Sequence, residues 1–265
     1  MLNAIFQLGQ RVWSGFTTLY TAIAFFGRSL TALLSCVLAP QQLRLRAVCY
    51  HVFATGIRAI PVVGLIACLI SIVMTYQGGG QLRRLGAEMF TVDMVVIAVL
   101  RELGVLLTAI MVAGRSGSAF AAEIGLMQTN QEIDALRVMG LDPYLVLVVP
   151  RLLALVIALP LLTVLANMLA LGAAALLSAV LLDISVMQFF ARAAQAANLQ
   201  TFMAGIIKAP FFAVIIALIG CWQGMQVSGS SASLGAHTTR AVVDAIFLVL
   251  VLDALFSVLF YQLGF

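Results

Sequence analysis

Three charged side chains stand inside long apolar runs: the neighbours Arg101 and Glu102, and Asp253. A charge at the centre of a lipid-exposed helix costs on the order of 3 kcal/mol, so such residues face protein, a partner or a watery cavity. Two chemistries suit them. One is a structural ion pair, Arg101 with Asp253 or with Glu102, that locks helices together. The other is contact with the charged part of a substrate in a cavity.

Other chemistry has little to stand on. His51 and His237 are isolated, with no metal-ligand spacing around either. Cys36, Cys49, Cys68 and Cys221 form no CxxC pair and read as inert thiols. No GxxxxGK(S/T) run occurs, so no P-loop for ATP is expected in this chain. Gly78-Gly79-Gly80 lacks the strand-to-helix setting of a phosphate cradle, and no Ser-His-Asp arrangement is readable. The chain reads as a non-enzyme without a metal or cofactor of its own, and energy-driven transport would need a separate engine.

The elements that hold these charges can be read from composition. Of 265 residues, 63% are hydrophobic and 9% charged, against about 25% charged in soluble domains. Lipid is the solvent that suits such a chain. The net charge of +4 is spread out, which excludes the clustered footprint of a nucleic-acid partner.

A spanning helix needs about 20 mostly apolar residues. Five segments qualify: 59–77, 92–114, 152–182, 209–225 and 245–265. The first is expected to stop at Gly78-Gly79-Gly80, and Pro160 is a candidate kink in the third. Residues 1–58 differ. Arg11, Arg28, Arg44, Arg46 and Arg58 recur there among Trp13, Phe16, Tyr20, Phe25 and Phe26, a mixture that suits helices lying in the membrane interface. The expected fold is therefore an all-α integral membrane protein, with N-terminal interfacial helices over 1–58 and a five-span transmembrane domain over 59–265.

Lys and Arg set orientation. With the N-terminus in the cytoplasm, Arg11, Arg28, Arg44, Arg46, Arg58, Arg115, Arg137, Arg151 and Arg240 face inward, while Arg83, Arg84, Arg192 and Lys208 face outward. That nine-to-four split places the C-terminus outside. The segment 228–235, rich in Ser and Gly, is expected to be a flexible cytoplasmic connection.

Between the second and third spans, Ile124, Met127, Leu136 and Met139 are separated by polar residues, a pattern that predicts a short amphipathic helix over about 123–139. Gly140 is suited to end it, and Asp142-Pro143 to start a turn. Such a helix either lies on headgroups or docks into a partner. Small residues at 114 and 116–119 would allow close backbone packing beside it.

The run Leu100-Arg-Glu-Leu-Gly104, then Ala113-Gly-Arg-Ser-Gly-Ser-Ala119 and Ala122-Glu-Ile-Gly-Leu-Met127, resembles the MlaE-type permeases. These are membrane subunits of bacterial ABC systems that move phospholipid between inner and outer membranes. Ile133-Asp-Ala-Leu136, Val138-Met-Gly-Leu-Asp-Pro143, Val149-Pro-Arg151, Thr238-Thr-Arg-Ala-Val-Val243 and Leu252-Asp-Ala-Leu255 extend the resemblance over about 50–265. Two departures are Val105, where the family often has proline, and Gln131-Glu132, where it often has Glu-Gln. The second turns the carboxylate by about 100° around a helix.

The resemblance implies a homodimer that encloses a cavity and an ABC ATPase that carries ATP and Mg²⁺. It also implies a periplasmic MCE-domain lipid-binding protein and a small STAS-domain protein, all at a bacterial inner membrane. It implies that Arg101 and Glu102 lie near the lipid-binding cavity; Asp253, inside the fifth span, joins them as a candidate from its position alone, with Arg101 pairing either with Asp253 or with a lipid phosphate. It makes 123–139 the coupling helix, with Glu123, Met127, Gln131, Glu132 and Asp134 toward the ATPase. An ion- or proton-coupled carrier and a plain membrane anchor are the other function classes the charges allow.

Overall fold

The computed structural model describes the backbone of residues 2–38 and 44–263, with side chains at 17, 20–36, 38 and 44–263. Trp13, Phe16 and Arg11 therefore fall outside the described side chains. Among the described residues every regular element is helical. Backbone polar groups in lipid must be satisfied within the segment, and only helices and closed barrels do that.

The helix α1 (Leu2–Leu38) is one long element. It meets the rest through Phe25, whose ring centroid is 5.4 Å from that of Tyr144. The helix α2 (Leu45–Thr55) passes through a 3₁₀ turn at Ile57–Ala59 into α3 (Ile60–Arg83). The first span thus begins near Leu45, ahead of the expected residue 59. The glycine triplet does not stop it. A glycine costs a helix interior about 1 kcal/mol against alanine, and a stretch facing lipid cannot leave its backbone open. The glycines instead admit neighbours: a Cβ at Gly78 would collide with the Met94 side chain, and one at Gly79 would come within 3.0 Å of Leu182.

The second span runs from Phe90 to Thr129. It is assembled from α4 (Phe90–Ala98), a π turn at Val99–Leu103, α5 (Gly104–Val112), a second π turn at Ala113–Gly117, and α6 (Ser118–Thr129). The helix expected over 123–139 is divided. Gln131 takes a left-handed φ of 60°, so Glu123 and Met127 complete α6 while α7 (Glu132–Val138) is separate. Gly140 (φ 74°) closes α7, with Leu141 N donating to Leu136 O at 3.0 Å. Asp142 Oδ1 then accepts from Tyr144 N at 2.9 Å, forming the expected turn.

The third span joins a π turn at Tyr144–Val148 to α8 (Val149–Leu181), which continues through Pro160. Its 38 residues reach about 57 Å, well beyond a hydrocarbon core of about 30 Å. A reciprocal capping box, with Gln188 N donating to Ser185 Oγ and Ser185 N to Gln188 Oε1, opens α9 (Val186–Ala196). Arg192 of α9 grips Asp93 of α4 with two hydrogen bonds, 2.8 and 2.5 Å. The fourth span, α10 (Leu199–Met225), starts ten residues before the expected boundary. The fifth, α11 (Ser231–Gln262), opens where a flexible connection was expected, because Ser230 Oγ accepts from Ser233 N at 3.1 Å and caps it.

Helices α8 and α10 are the most covered elements, and α11 is the least. Close approach of α10 to the second span rests on small residues. A Cβ at Gly220 would stand 2.8 Å from the Gly117 carbonyl, and one at Gly224 would stand 2.9 Å from the Ala121 carbonyl. Backbone cannot yield as a side-chain tip can, so Gly220→Val is expected to cut assembled, detergent-stable protein severalfold. Gly172→Ala, with open space at that position, should leave the yield unchanged or raise it, gaining roughly 0.5–1 kcal/mol of helix propensity. Size-exclusion yield of both variants checks this.

Candidate functional site

The wide turn at Val99–Leu103 carries Arg101 and Glu102. A π turn inserts an extra residue into the helical ladder and re-aims the side chains beyond it. Two neighbours fit themselves to it. Gly205 of α10 lies so close under the Leu100 carbonyl that any Cβ there would collide with it. Asn167 of α8 presses its amide against Gly104, and neither amide atom finds a hydrogen-bond partner among the described residues.

Gly205 brings α10 in, and Lys208 comes one turn later. Its ammonium is fully buried. Lys208 Nζ donates to Glu102 Oε2 at 2.5 Å, to Asp253 Oδ1 at 2.9 Å and to Ser257 Oγ at 3.3 Å. Ser257 Oγ in turn donates to Glu102 Oε1 at 3.0 Å, which closes the ring. Arg101 Nε stands 3.9 Å from Glu102 Oε1. Two cations and two carboxylates thus balance, and each of three spans contributes.

Depth can be read along each helix. Lys208 is nine residues past Leu199, Asp253 nine before Gln262, and Glu102 twelve past Phe90. At 1.5 Å per residue, all three lie about 14–18 Å from the end of the bundle that holds residues 84–89. The ring is open on one side: the Glu102 and Arg101 side chains keep 32% and 27% of their exposure.

The sequence brings Arg101, Glu102 and Asp253 forward, and the structure puts them together. Of the two ion pairs expected of Arg101, the one with Glu102 is present and the one with Asp253 is not, since Lys208 takes that place. Lys208 is expected from the sequence in an outer loop and is instead inside α10. It is the only lysine of the chain, and its position at the edge of an apolar run was the available signal. Ser257 carried none.

The residues expected to meet a partner lie at the opposite end of the second span. Glu123 Oε2 accepts from Arg151 Nη2 at 2.8 Å. Arg151 is buried to 6% exposure and also donates to Leu147 O. Its guanidinium sits 5.7 Å from the centre of the Phe120 ring. Met127 packs on the core from a half-buried position. Gln131 is exposed at the left-handed break; Glu132 accepts from Asn130 Nδ2 at 3.1 Å, and Asp134 from Arg137 Nη1 at 2.9 Å. Beside them Val138 and Met139 are strongly exposed. The tip of this loop therefore presents two carboxylates and two large apolar side chains outward, while Glu123 is spent on holding α6 to α8.

Known proteins are similar to this chain in sequence over most of its length. The chain is 35% identical over 208 residues to protein TRIGALACTOSYLDIACYLGLYCEROL 1, chloroplastic, of Arabidopsis thaliana, covering 78% of this chain and 59% of that one. It thus spans about three fifths of the length of that relative. It is 32% identical over 212 residues to the probable ABC transporter permease protein ycf63 of Pyropia yezoensis, covering 80% and 81% of the two chains. A probable ABC transporter permease protein of Rickettsia felis is 29% identical over 231 residues, covering 87% and 89%. The family model described as permease MlaE matches residues 48–259, which takes in most of the first and fifth spans, the three between them and the charged ring. The chain therefore belongs to the MlaE family and is a multi-pass membrane permease of the ABC transporter type.

Proposed function

We propose that this permease moves phospholipid between the inner and outer membranes of a bacterium, driven by a separate cytoplasmic ATPase that binds ATP and Mg²⁺. The observation that carries the reading is the ring of Glu102, Lys208, Asp253 and Arg101, balanced in charge yet open on one side at membrane depth. Charges so placed do not face acyl chains. A second copy of the chain, set against the sparsely covered α11, would turn the open side into a shared cavity. Apolar walls would take the acyl chains and the ring would take the headgroup. The name of the Arabidopsis relative, which refers to a glycosylated diacylglycerol, agrees with a lipid cargo.

At the other end, α7 would seat in a groove of the ATPase through Glu132, Asp134, Val138 and Met139, with Glu123 and Met127 stiffening its root. A periplasmic MCE-domain protein and a small STAS-domain protein complete the assembly in this reading. Its test is reconstitution with the ATPase in vesicles that contain a labelled phospholipid. ATP-dependent lipid transfer supports the reading; ATPase that never copurifies, or transfer indifferent to ATP, defeats it.

The orientation places α7 in the cytoplasm and residues 84–89 and 182–198 outside, in an inner membrane with the C-terminus periplasmic. Single cysteines at Gln81 and Gln131, in a chain lacking its four native cysteines, should then react with an impermeant maleimide from opposite faces. Reaction from one face would refute the orientation and the five-span count together.

A further inference from the structure

A second polar cavity, of about 320 Å³, opens at the α7 end of the bundle, between α1, α7, the turn after Pro143 and the last turns of α10. Arg28 and Arg137 line it with Tyr20, Phe25, Tyr144 and Trp222, and no carboxylate is among its lining side chains. Arg28 forms no ion pair among the described residues. Arg137 spends Nη1 on Asp134 and keeps its other guanidinium donors. Trp222 lines the cavity while its indole N–H is buried out of reach of solvent. Two cations and aromatic walls make a receptor for an anionic phosphate ester.

The surroundings of the cavity select the form of that ester. Ile23, Leu30 and Leu34 leave the outer face of α1, turned away from the cavity, exposed and apolar, so the helix that carries Arg28 is itself suited to lie against acyl chains. The cavity sits where the apolar spans end, at the level expected of headgroups. We infer that it binds the headgroup of an anionic phospholipid as a resident ligand that clasps α1 to α7 and α10. This site is separate from the Lys208 ring, at the other end of the second span, and does not depend on what the permease carries.

Trp222 is the reporter. The chain has two tryptophans, Trp13 and Trp222, so Trp13→Phe leaves Trp222 alone. The permease is placed in dioleoylphosphatidylcholine vesicles that contain an equal small fraction of either brominated-chain phosphatidylglycerol or brominated-chain phosphatidylcholine. Phosphatidylglycerol should quench Trp222 several times more strongly. Arg28→Gln with Arg137→Gln, shown by circular dichroism to keep its helices, should weaken that preference about tenfold. With Trp13→Phe alone and both arginines kept, raising sodium chloride should also shrink it, because partly exposed charge pairs are screened. Equal quenching by the two lipids would overturn the site, as would a preference indifferent to salt or unchanged in the double variant. Inorganic phosphate at constant ionic strength should leave the preference intact; its abolition would mean a free-anion site and would overturn the lipid assignment.

Discussion

Lys208→Met should all but eliminate assembled permease, and adding Glu102→Gln with Asp253→Asn should restore assembly without restoring lipid transfer. The single change leaves two carboxylates within a few ångströms of an apolar side chain, with Arg101, 3.9 Å from Glu102, as the remaining cation of the ring. Stripping one partner from a buried ion network costs about 3–5 kcal/mol, a large part of a total stability of about 5–15 kcal/mol. The triple change removes the three charges that meet at Lys208 and leaves only the part-exposed Arg101, and replacing buried ion partners together is often neutral. Assembly should recover, while a headgroup would find Arg101 alone of the four charges. Yield in detergent and ATP-driven lipid transfer, measured on the same preparations, check both halves. A triple variant that transfers lipid at the wild-type rate would reduce the ring to helix glue.

The second large effect is expected at the other end of the same span. Glu123→Lys should collapse the yield of permease, because it sets a cation against Arg151, which is 6% exposed and 2.8 Å from the present carboxylate. Exchanging the charges, Glu123→Arg with Arg151→Glu, should recover a substantial share of the yield. By contrast Glu132→Lys with Asp134→Lys should leave the permease in the membrane at normal level and lower its copurified ATPase by tenfold or more, since mispaired interface charges cost several kcal/mol. Quantifying permease and ATPase bands from one affinity preparation separates the two behaviours. Full ATPase retention by the α7 variant would remove α7 from the interface.

The five spans were legible because hydropathy over about 20 residues is a strong signal that tertiary structure rarely overrides. Their ends were not. Lys208 reads as the edge of a span because a lysine looks like a loop residue until partners at 102 and 253 are known to reach it. The glycine triplet looks like a stop when its cost in water is applied to a helix in lipid. The amphipathic pattern of 123–139 is real in both halves. A single left-handed residue, Gln131, interrupts it, and no periodicity shows that. Arg101, Glu102 and Asp253 were legible as misplaced charges, whereas Ser257 became visible only as the group that closes the ring. The π turns left no mark in the sequence, though they aim the charged pair.

The ring has a history as well as a geometry. Glu102 precedes Lys208 by 106 residues, and Asp253 lies 45 residues beyond Lys208. During synthesis at about 5–20 residues per second, Glu102 is made roughly 5–20 s before Lys208, and until then its neighbour Arg101 is the one cation of the ring present. Lys208 then arrives with one carboxylate available, and the second comes only with the last helix. Chains that stall before α11 hold Lys208 with one of its two carboxylates, so the ring is completed only when the last helix is in place.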